Sequence, residues 1–217
     1  MSRRCIPAYN GVPAIDYLID LKDSDKLEKI RRSKLKVVAD HCYFGANEEF
    51  GLGMKNPFYY TILRYPLERF ISDYFYSVYN REQLNLKNRH INSLTNVELD
   101  LVLNIYSNQM VHWIAGGNQD KNSLTALDIA KRNLLHGYSC YGILEKLDAS
   151  LEILSSKIPD WLSVEGIKMN KINTPDRLLD NSLDLKSSIN ADIKLKIIES
   201  NDSDFQLYNF ACQNFLS

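Results

Sequence analysis

The chain has 217 residues, of which 45% are hydrophobic, and a formal net charge of −1 at pH 7. A chain of this length and composition can bury a sizeable core, and we expect a single domain over residues 1–217. The balanced charge argues against a general nucleic-acid-binding protein, which needs a basic surface. No apolar run reaches the length of a membrane span, and the first ten residues have no apolar signal core. The sequence therefore predicts a soluble chain with no membrane segment, cytoplasmic by default.

The four cysteines are Cys5, Cys42, Cys140 and Cys212. They lie far apart, and none forms a CxxC pair. This spacing predicts reduced, partly buried thiols rather than a disulfide framework or a zinc site. We expect no bound metal.

The first 33 residues combine prolines and a glycine with an amphipathic stretch, Ala14 to Leu21, and a charged run over residues 22–32. Such a pattern predicts an irregular lead-in with one or two helices, and the charged run is typical of a solvated helical face. We accordingly place the core of the domain over residues 34–217.

A short apolar strand is predicted over Lys36–Ala39, and His41 follows at its carboxyl end. Histidine suits a general base near neutral pH, so His41 is a candidate catalytic residue. A histidine that is hydrogen-bonded by backbone groups at a strand end explains the pattern equally well. Both interpretations stay open from the residues alone.

The most informative stretch runs from Phe58 to Tyr79. Its first six residues, Phe58 to Leu63, are all aromatic or branched and predict a strand buried on both faces of a sheet. Pro66 suits the first turn of a helix, and an apolar stripe follows at helical spacing. The stripe comprises Leu67, Phe70, Ile71, Tyr74, Phe75 and Val78.

Arg64 therefore falls at the carboxyl end of the predicted strand, and Ser72 falls on the flank of the predicted helix. In open α/β sheets ligands bind at this edge, where an arginine and a hydroxyl near a helix start suit a phosphate. The alternative is that Arg64 and Arg69 are ordinary solvated arginines beside Glu68 and Asp73.

Further elements follow along the chain. Thr95 and Glu98 have the spacing of a capping box, ahead of a helix whose predicted apolar face is Val97, Leu101, Val102 and Ile105. The remaining predicted elements are a helix over Ser123–Asn133, a strand over Leu135–Ile143, and helices over Glu145–Lys157, Ile189–Glu199 and Ser203–Phe215. This order of strands and helices predicts an α/β fold with three layers and a parallel sheet.

The residue identities in the central stretch are more specific than its periodicity. Arg64, Tyr65, Pro66, Arg69 and Ser72 resemble a signature of sulfotransferases that use 3′-phosphoadenosine 5′-phosphosulfate (PAPS), closest in pattern to the heparan sulfate and uronyl 2-O-sulfotransferases. The resemblance implies a P-loop nucleoside-triphosphatase-like fold and assigns the 3′-phosphate of the donor to Arg64 and Ser72. Tyr65 stands where the family usually has aspartate, and tyrosine is a poorer helix cap.

The same resemblance suggests further site residues. His41 is similar to the histidine that this family uses as the base, one strand before the arginine and serine motif. The stretch from Lys168 to Arg177 resembles a variable donor-binding loop, which makes Lys168, Asn170 and Lys171 candidate contacts to the nucleotide. A plain loop that ends at a proline explains that stretch as well.

The sequence departs from the family in one important respect. Family members begin with a strand and a proline-lysine loop that holds the 5′-phosphosulfate, whereas none of the six prolines here is followed by lysine. We therefore expect that the first strand and loop are missing, either because the chain is an amino-terminally shortened copy or because it is a relic.

The resemblance implies an enzyme that transfers a sulfonate group from PAPS to a hydroxyl of a carbohydrate acceptor. The alternative is a non-catalytic relic that binds a nucleotide or a glycan. If the chain is a fragment of an animal-type enzyme, the expected compartment is the Golgi lumen.

Overall fold

A computed structural model describes residues 14–15, 37–38, 43–49, 51, 54–79, 83–117, 119–157 and 188–215. The chain divides into two compact units, each built from two stretches of sequence. One unit covers Met1–Tyr60 and Met110–Ser139, and the other covers Thr61–Gln109 and Cys140–Ser217. The single domain expected over residues 1–217 stays a prediction.

The strands and α-helices have the following bounds: β1 (Ala14–Ile15), β2 (Val37–Val38), α1 (Ala46–Glu49), β3 (Tyr60–Leu63), α2 (Pro66–Asp73), α3 (Asn96–Tyr106), α4 (Gln109–Ile114), α5 (Leu124–His136), β4 (Cys140–Ile143), α6 (Leu147–Lys157), α7 (Ala191–Ser200) and α8 (Asp202–Asn214). A π-helical segment, Tyr74–Tyr79, continues α2. Short 3₁₀ turns occupy Gln83–Asn85, Ile91–Ser93 and Leu144–Lys146.

The fold is mixed α/β and mostly helical, which agrees with the predicted class at this level. Within the described ranges the strands form two separate two-stranded sheets, β1 with β2 and β3 with β4. The β1–β2 pair is parallel, with Ala14 opposite Val37 and Ile15 opposite Val38.

The strand at Ala14–Ile15 differs from the predicted lead-in, which was irregular or helical at this point. Pairing with β2 provides these two residues with ladder hydrogen bonds, so the backbone is extended here instead of helical. A short strand therefore precedes β2 in the chain, and the expectation that the strand and loop of the phosphosulfate site are missing stays a prediction.

Helix α2 and its π-helical continuation form the centre of the main apolar cluster of the second unit. Phe70, Ile71, Tyr74, Phe75 and Val78 are all buried, and Leu67 packs against them, which confirms the predicted stripe. Helix α3 and helix α7 contribute to the same cluster through Leu99, Val102 and Ile197. Burying this stripe is the main apolar contribution that orients α2.

Strand β3 is shorter than predicted and is buried on one side. Leu63 is 1% exposed, but Ile62 is 38% exposed, so the expectation of burial on both faces is wrong. Strand β4 is likewise confined to Cys140–Ile143, because the residues that precede it, Leu135 and His136, complete helix α5.

Helix α3 begins with the predicted capping box. Thr95 accepts a hydrogen bond from the backbone of Glu98, and the carboxylate of Glu98 accepts one from the backbone of Thr95 at 2.8 Å. The predicted apolar face is wrong at three of its four positions, because Val97, Leu101 and Ile105 are exposed. The face that packs against the cluster instead comprises Leu99, Val102, Leu103 and Tyr106.

The helices predicted after residue 120 are confirmed, whereas those predicted within the first 33 residues lie, apart from Ala14–Ile15, outside the described residues. Ser123 caps α5 by accepting a hydrogen bond from the backbone of Ala126 at 3.1 Å. The buried hydroxyl of Ser150 accepts from the backbone N–H of Ile143 at 2.8 Å and so ties α6 to the end of β4. Helices α7 and α8 are separated at Asn201, as their sequence patterns predict.

A buried guanidinium connects three segments of the second unit. The side chain of Arg69 is 13% exposed and pairs with Asp73, four residues later in α2, at 2.5 Å. It also donates to the carbonyl of Tyr106 at 2.8 Å and to Asn201 at 3.3 Å, and it lies 3.5 Å from the fully buried carboxylate of Asp204. Arg69 thereby links α2 to the end of α3 and to the junction of α7 and α8.

Two further expectations concern the cysteines and membrane-spanning segments. Cys140 and Cys212 are free thiols, and burial raises the pKa of Cys140, whereas Cys5 and Cys42 lie outside the described residues. Among the residues that the structure describes, no helix has both the length and the apolar character needed to cross a membrane.

Replacing Arg69 by alanine is expected to lower the free energy of unfolding by about 3–5 kcal/mol, because the carboxylate of Asp204 would be left buried without its cation. Chemical denaturation of the wild type and the variant measures this difference. The control is Arg132→Ala, at an exposed position of α5, with an expected change within about 0.5 kcal/mol. Equal losses from the two substitutions would contradict the structural role of Arg69.

The stabilising effect of Glu98 in the capping box of α3 should decrease in acid. Hydrogen bonds from Arg89, followed by those from Thr95, lower the pKa of Glu98 from 4.5 to about 2. The ionised carboxylate therefore stabilises the fold above the ordinary pKa, and this contribution is lost as the pH falls from 4.5 toward about 2. We expect the difference in Tm between wild type and Glu98→Gln to be full at pH 7 and to shrink across that interval. Glu152→Gln, at an exposed site in α6, is the control and should give no such dependence.

Candidate anion-binding site

Arg64 lies where the sequence predicts it, directly after the last residue of β3 and two residues before the start of α2. Its side chain is 32% exposed, and its Nη2 lies 3.6 Å from Oε2 of Glu68, whose side chain is 53% exposed. An ion pair with this exposure contributes little to stability, on the order of 0–1 kcal/mol. The guanidinium is therefore held weakly by its protein partner.

Ser72 is partly buried on α2, and it shares a helical face with Glu68 because the two residues are four positions apart. The same glutamate pairs with Arg64. Glu68 therefore neighbours both predicted phosphate ligands, Arg64 through an ion pair and Ser72 through its position on the helix. That Arg64 and Ser72 converge on one anion stays a prediction.

The two arginines of the motif differ in their surroundings, although each pairs with the acid that the alternative interpretation named. Arg69 is mostly buried and is bonded by groups from three segments, so its role is structural. Arg64 has the exposed pair with Glu68. Of these two guanidinium groups, Arg64 is the one that a ligand can reach.

The start of α2 has a carboxylate partner whose role the sequence alone did not indicate. Within the described chain, the side chain of the N-cap residue Tyr65 makes no capping hydrogen bond. Instead, the backbone N–H of Tyr65 donates to Oε1 of Glu145 at 2.8 Å. Glu145 belongs to the 3₁₀ turn that follows β4. Because β4 pairs with β3, this turn lies where it can support Tyr65, which comes shortly after β3.

Helix α8 completes this arrangement. The hydroxyl of Tyr208 donates to Oε2 of Glu145 at 2.9 Å. Burial, and next the hydrogen bond to Glu145, raise the pKa of Tyr208, so its hydroxyl stays protonated and remains a donor. The ring of Tyr65 meets Phe205 edge-on at 5.4 Å and Tyr208 at 5.8 Å between ring centroids.

The other unit contains an aromatic cluster that includes Tyr43, Phe44 and His112. His112 meets the ring of Tyr43 edge-on at 5.0 Å, and the carbonyl of Trp113 accepts from the backbone of Phe44 at 2.8 Å. Burial is the main factor that lowers the pKa of His112, with a smaller contribution from Lys121. His112 thus packs within this unit, and the backbone of Trp113 anchors the residue that follows Tyr43.

Close packing in this cluster also requires glycine at two positions. A methyl group on Gly117 would lie 2.6 Å from the ring of Tyr43, and one on Gly137 would lie 2.4 Å from the ring of Phe44. Only glycine fits at these positions without a displacement of the rings.

The remaining predicted site residues, His41, Lys168, Asn170 and Lys171, lie outside the described residues. The parts of the chain that the structure describes contain no group of three or more histidine, cysteine, aspartate or glutamate side chains that could hold a metal ion. Arg64 and Ser72 are therefore the two predicted site residues whose surroundings are defined.

Comparison with known proteins adds no family. No protein-family model matches the chain, and no curated protein matches it. The functional interpretation consequently depends on the geometry around Arg64 and on the motif that contains it.

Proposed function

We propose that this chain is a PAPS-dependent sulfotransferase that acts on a hydroxyl of a carbohydrate. The observation that carries the proposal is the arrangement of its central motif. A strand ends at Leu63, an accessible arginine follows at Arg64, and a helix that begins at Pro66 carries Ser72 on its flank. This order of strand, arginine, helix and serine matches the sulfotransferase signature that the motif resembles, in which the arginine and the serine hold the 3′-phosphate of the donor.

The weak ion pair of Arg64 favours replacement of Glu68 by a phosphate group. The pair with Glu68 is solvent-exposed and spans 3.6 Å, so it is a weak ion pair. A phosphate group can accept two parallel hydrogen bonds from one guanidinium, which is a stronger and more directional contact. A doubly charged 3′-phosphate would therefore displace the carboxylate of Glu68 from Arg64.

The proposed reaction is an in-line displacement at sulfur. An oxygen of the acceptor hydroxyl forms the new bond to sulfur, the bond from sulfur to the 5′-phosphate oxygen breaks, and 3′-phosphoadenosine 5′-phosphate leaves. The proton of the hydroxyl would pass to His41 as general base. The protein supplies positioning and charge neutralisation in such a transfer, as in phosphoryl transfer.

The remaining parts of the donor site are also proposals. Lys168, Asn170 and Lys171 would contact the nucleotide, and the fold would be the three-layer α/β type of P-loop nucleoside triphosphatases. The absence of a proline-lysine loop from the sequence predicts that turnover falls more than donor affinity, because that loop would hold the transferred group.

A second candidate is a binding protein that retains the nucleotide or glycan site without turnover. It is favoured by the absence of a proline-lysine loop from the sequence, because that loop would hold the transferred sulfonate, and its loss reduces turnover more than it reduces binding of the nucleotide.

Replacing Arg64 by alanine is expected to weaken binding of 3′-phosphoadenosine 5′-phosphate about 10- to 100-fold, since hydrogen bonds to charged groups contribute about 1.5–3 kcal/mol. Ser72→Ala should give a smaller loss in the same direction. Isothermal titration calorimetry measures both. Arg132→Ala, at an exposed arginine of α5, is the matched control and should leave binding unchanged.

Assays of the wild-type chain separate the two candidates. Transfer of labelled sulfonate to a panel of glycans supports the enzyme, whereas nucleotide binding that depends on Arg64 without any transfer supports the binding protein. If the wild-type chain binds no nucleotide, both the sulfotransferase and the nucleotide-binding protein are contradicted.

Removing the negative charge of Glu68 should strengthen nucleotide binding. Glu68→Gln eliminates a competing ion pair of at most about 1 kcal/mol, so the expected gain in affinity is up to about fivefold. The gain should be absent when the substitution is made in the Arg64→Ala background, because the competition acts through Arg64. Glu152→Gln removes an equivalent charge from α6 and controls for the net charge of the protein. An equal gain in both backgrounds would contradict the competition.

A further inference from the structure

Glu145 contacts the peptide group that joins the candidate phosphate ligand to the helix. The N–H that donates to Oε1 of Glu145 at 2.8 Å belongs to Tyr65, and the same peptide group contains the carbonyl of Arg64. A hydrogen bond at this point restrains the plane of the Arg64–Tyr65 peptide. The direction in which the side chain of Arg64 leaves the backbone depends on that plane.

The carboxylate of Glu145 is itself held in place. Its second oxygen accepts from the hydroxyl of Tyr208 in α8 at 2.9 Å. The ring of Tyr65 is also packed edge-on against Phe205 and Tyr208 of the same helix. Both the backbone and the side chain of the residue after Arg64 are therefore restrained by Glu145 and α8.

This restraint replaces one of the two hydrogen bonds of a capping box with a bond to a residue distant in sequence. In α3, Glu98 at the third helical position accepts from the backbone N–H of the N-cap residue, Thr95. In α2 the third helical position is Glu68, which pairs with Arg64 instead. Glu145 provides the missing acceptor to the N-cap residue Tyr65 from the end of β4.

We propose that Glu145 is a positioning residue of the phosphate site, which acts through the Arg64–Tyr65 peptide and sets the orientation of the Arg64 guanidinium. This inference depends on the proposed function, because it assigns Glu145 to the 3′-phosphate contact made by Arg64. A bidentate contact between arginine and phosphate tolerates little misorientation. A change in the peptide plane therefore weakens binding of the 3′-phosphate more than binding of the rest of the nucleotide.

The test compares the affinities of each variant for 3′-phosphoadenosine 5′-phosphate and for adenosine 5′-phosphate, which lacks the 3′-phosphate. Their ratio reports the 3′-phosphate contact and does not respond to a uniform loss of folded protein. Glu145→Gln retains an acceptor oxygen at the same reach and should keep the ratio of the wild type. Glu145→Asp keeps the charge but shortens the side chain, and should lower the ratio about tenfold through loss of one charged hydrogen bond.

Ser150→Ala is the matched structural control. Its buried hydroxyl bonds the backbone of Ile143 and Lys146 in the same turn, but no described contact joins it to Tyr65. The substitution should lower Tm and leave the ratio of affinities unchanged. Tyr208→Phe removes the support of the second oxygen of Glu145 and should lower the ratio less than Glu145→Asp does.

The outcomes separate this inference from the proposed function. If the wild type prefers the 3′-phosphorylated nucleotide through Arg64, and Glu145→Asp retains the full preference, the positioning role is overturned and the proposed function stands. A ratio that falls with Glu145→Gln and not with Glu145→Asp also overturns it, because charge rather than reach would then matter. A wild type without preference for the 3′-phosphate overturns the proposed function together with the positioning role.

Discussion

The packing of the second unit depends on one buried cation. The Arg69 guanidinium, 13% exposed, pairs with Asp73 and lies 3.5 Å from the fully buried carboxylate of Asp204, and it also bonds the carbonyl of Tyr106. Because a buried carboxylate without a cation is costly, the helix that carries Arg69 is held against the start of α8. Arg64 and Ser72 flank Arg69 in sequence, so the candidate site depends on the same attachment.

Local sequence patterns predicted much of this fold correctly. The apolar stripe of α2 and the capping box of Thr95 and Glu98 are both present because each is encoded within a few neighbouring residues. The apolar face of α3 was wrong because its apolar residues occupy two adjacent stripes. Which stripe is buried is decided by packing against α7, and the sequence of α3 alone does not contain that information.

The candidate site was predictable only in part, for a related reason. The positions of Arg64 and Ser72 follow from a strand, a proline and a helical stripe that are contiguous in sequence. The support by Glu145 comes from 80 residues away, and the bond from Arg69 to Asn201 spans 132 residues. Contacts at such separations depend on the tertiary fold. A long-range hydrogen bond leaves no periodicity in a single sequence.

The final helix has a consequence for how a ligand would bind. Helix α8 holds α2 at two points, through the rings of Phe205 and Tyr208 on Tyr65 and through the carboxylate of Asp204 on Arg69. Two attachments one helical turn apart oppose both tilting and sliding of α2. An anion that reached Arg64 would therefore meet a preorganised helix, and its binding free energy would not be reduced by the entropy cost of ordering that helix.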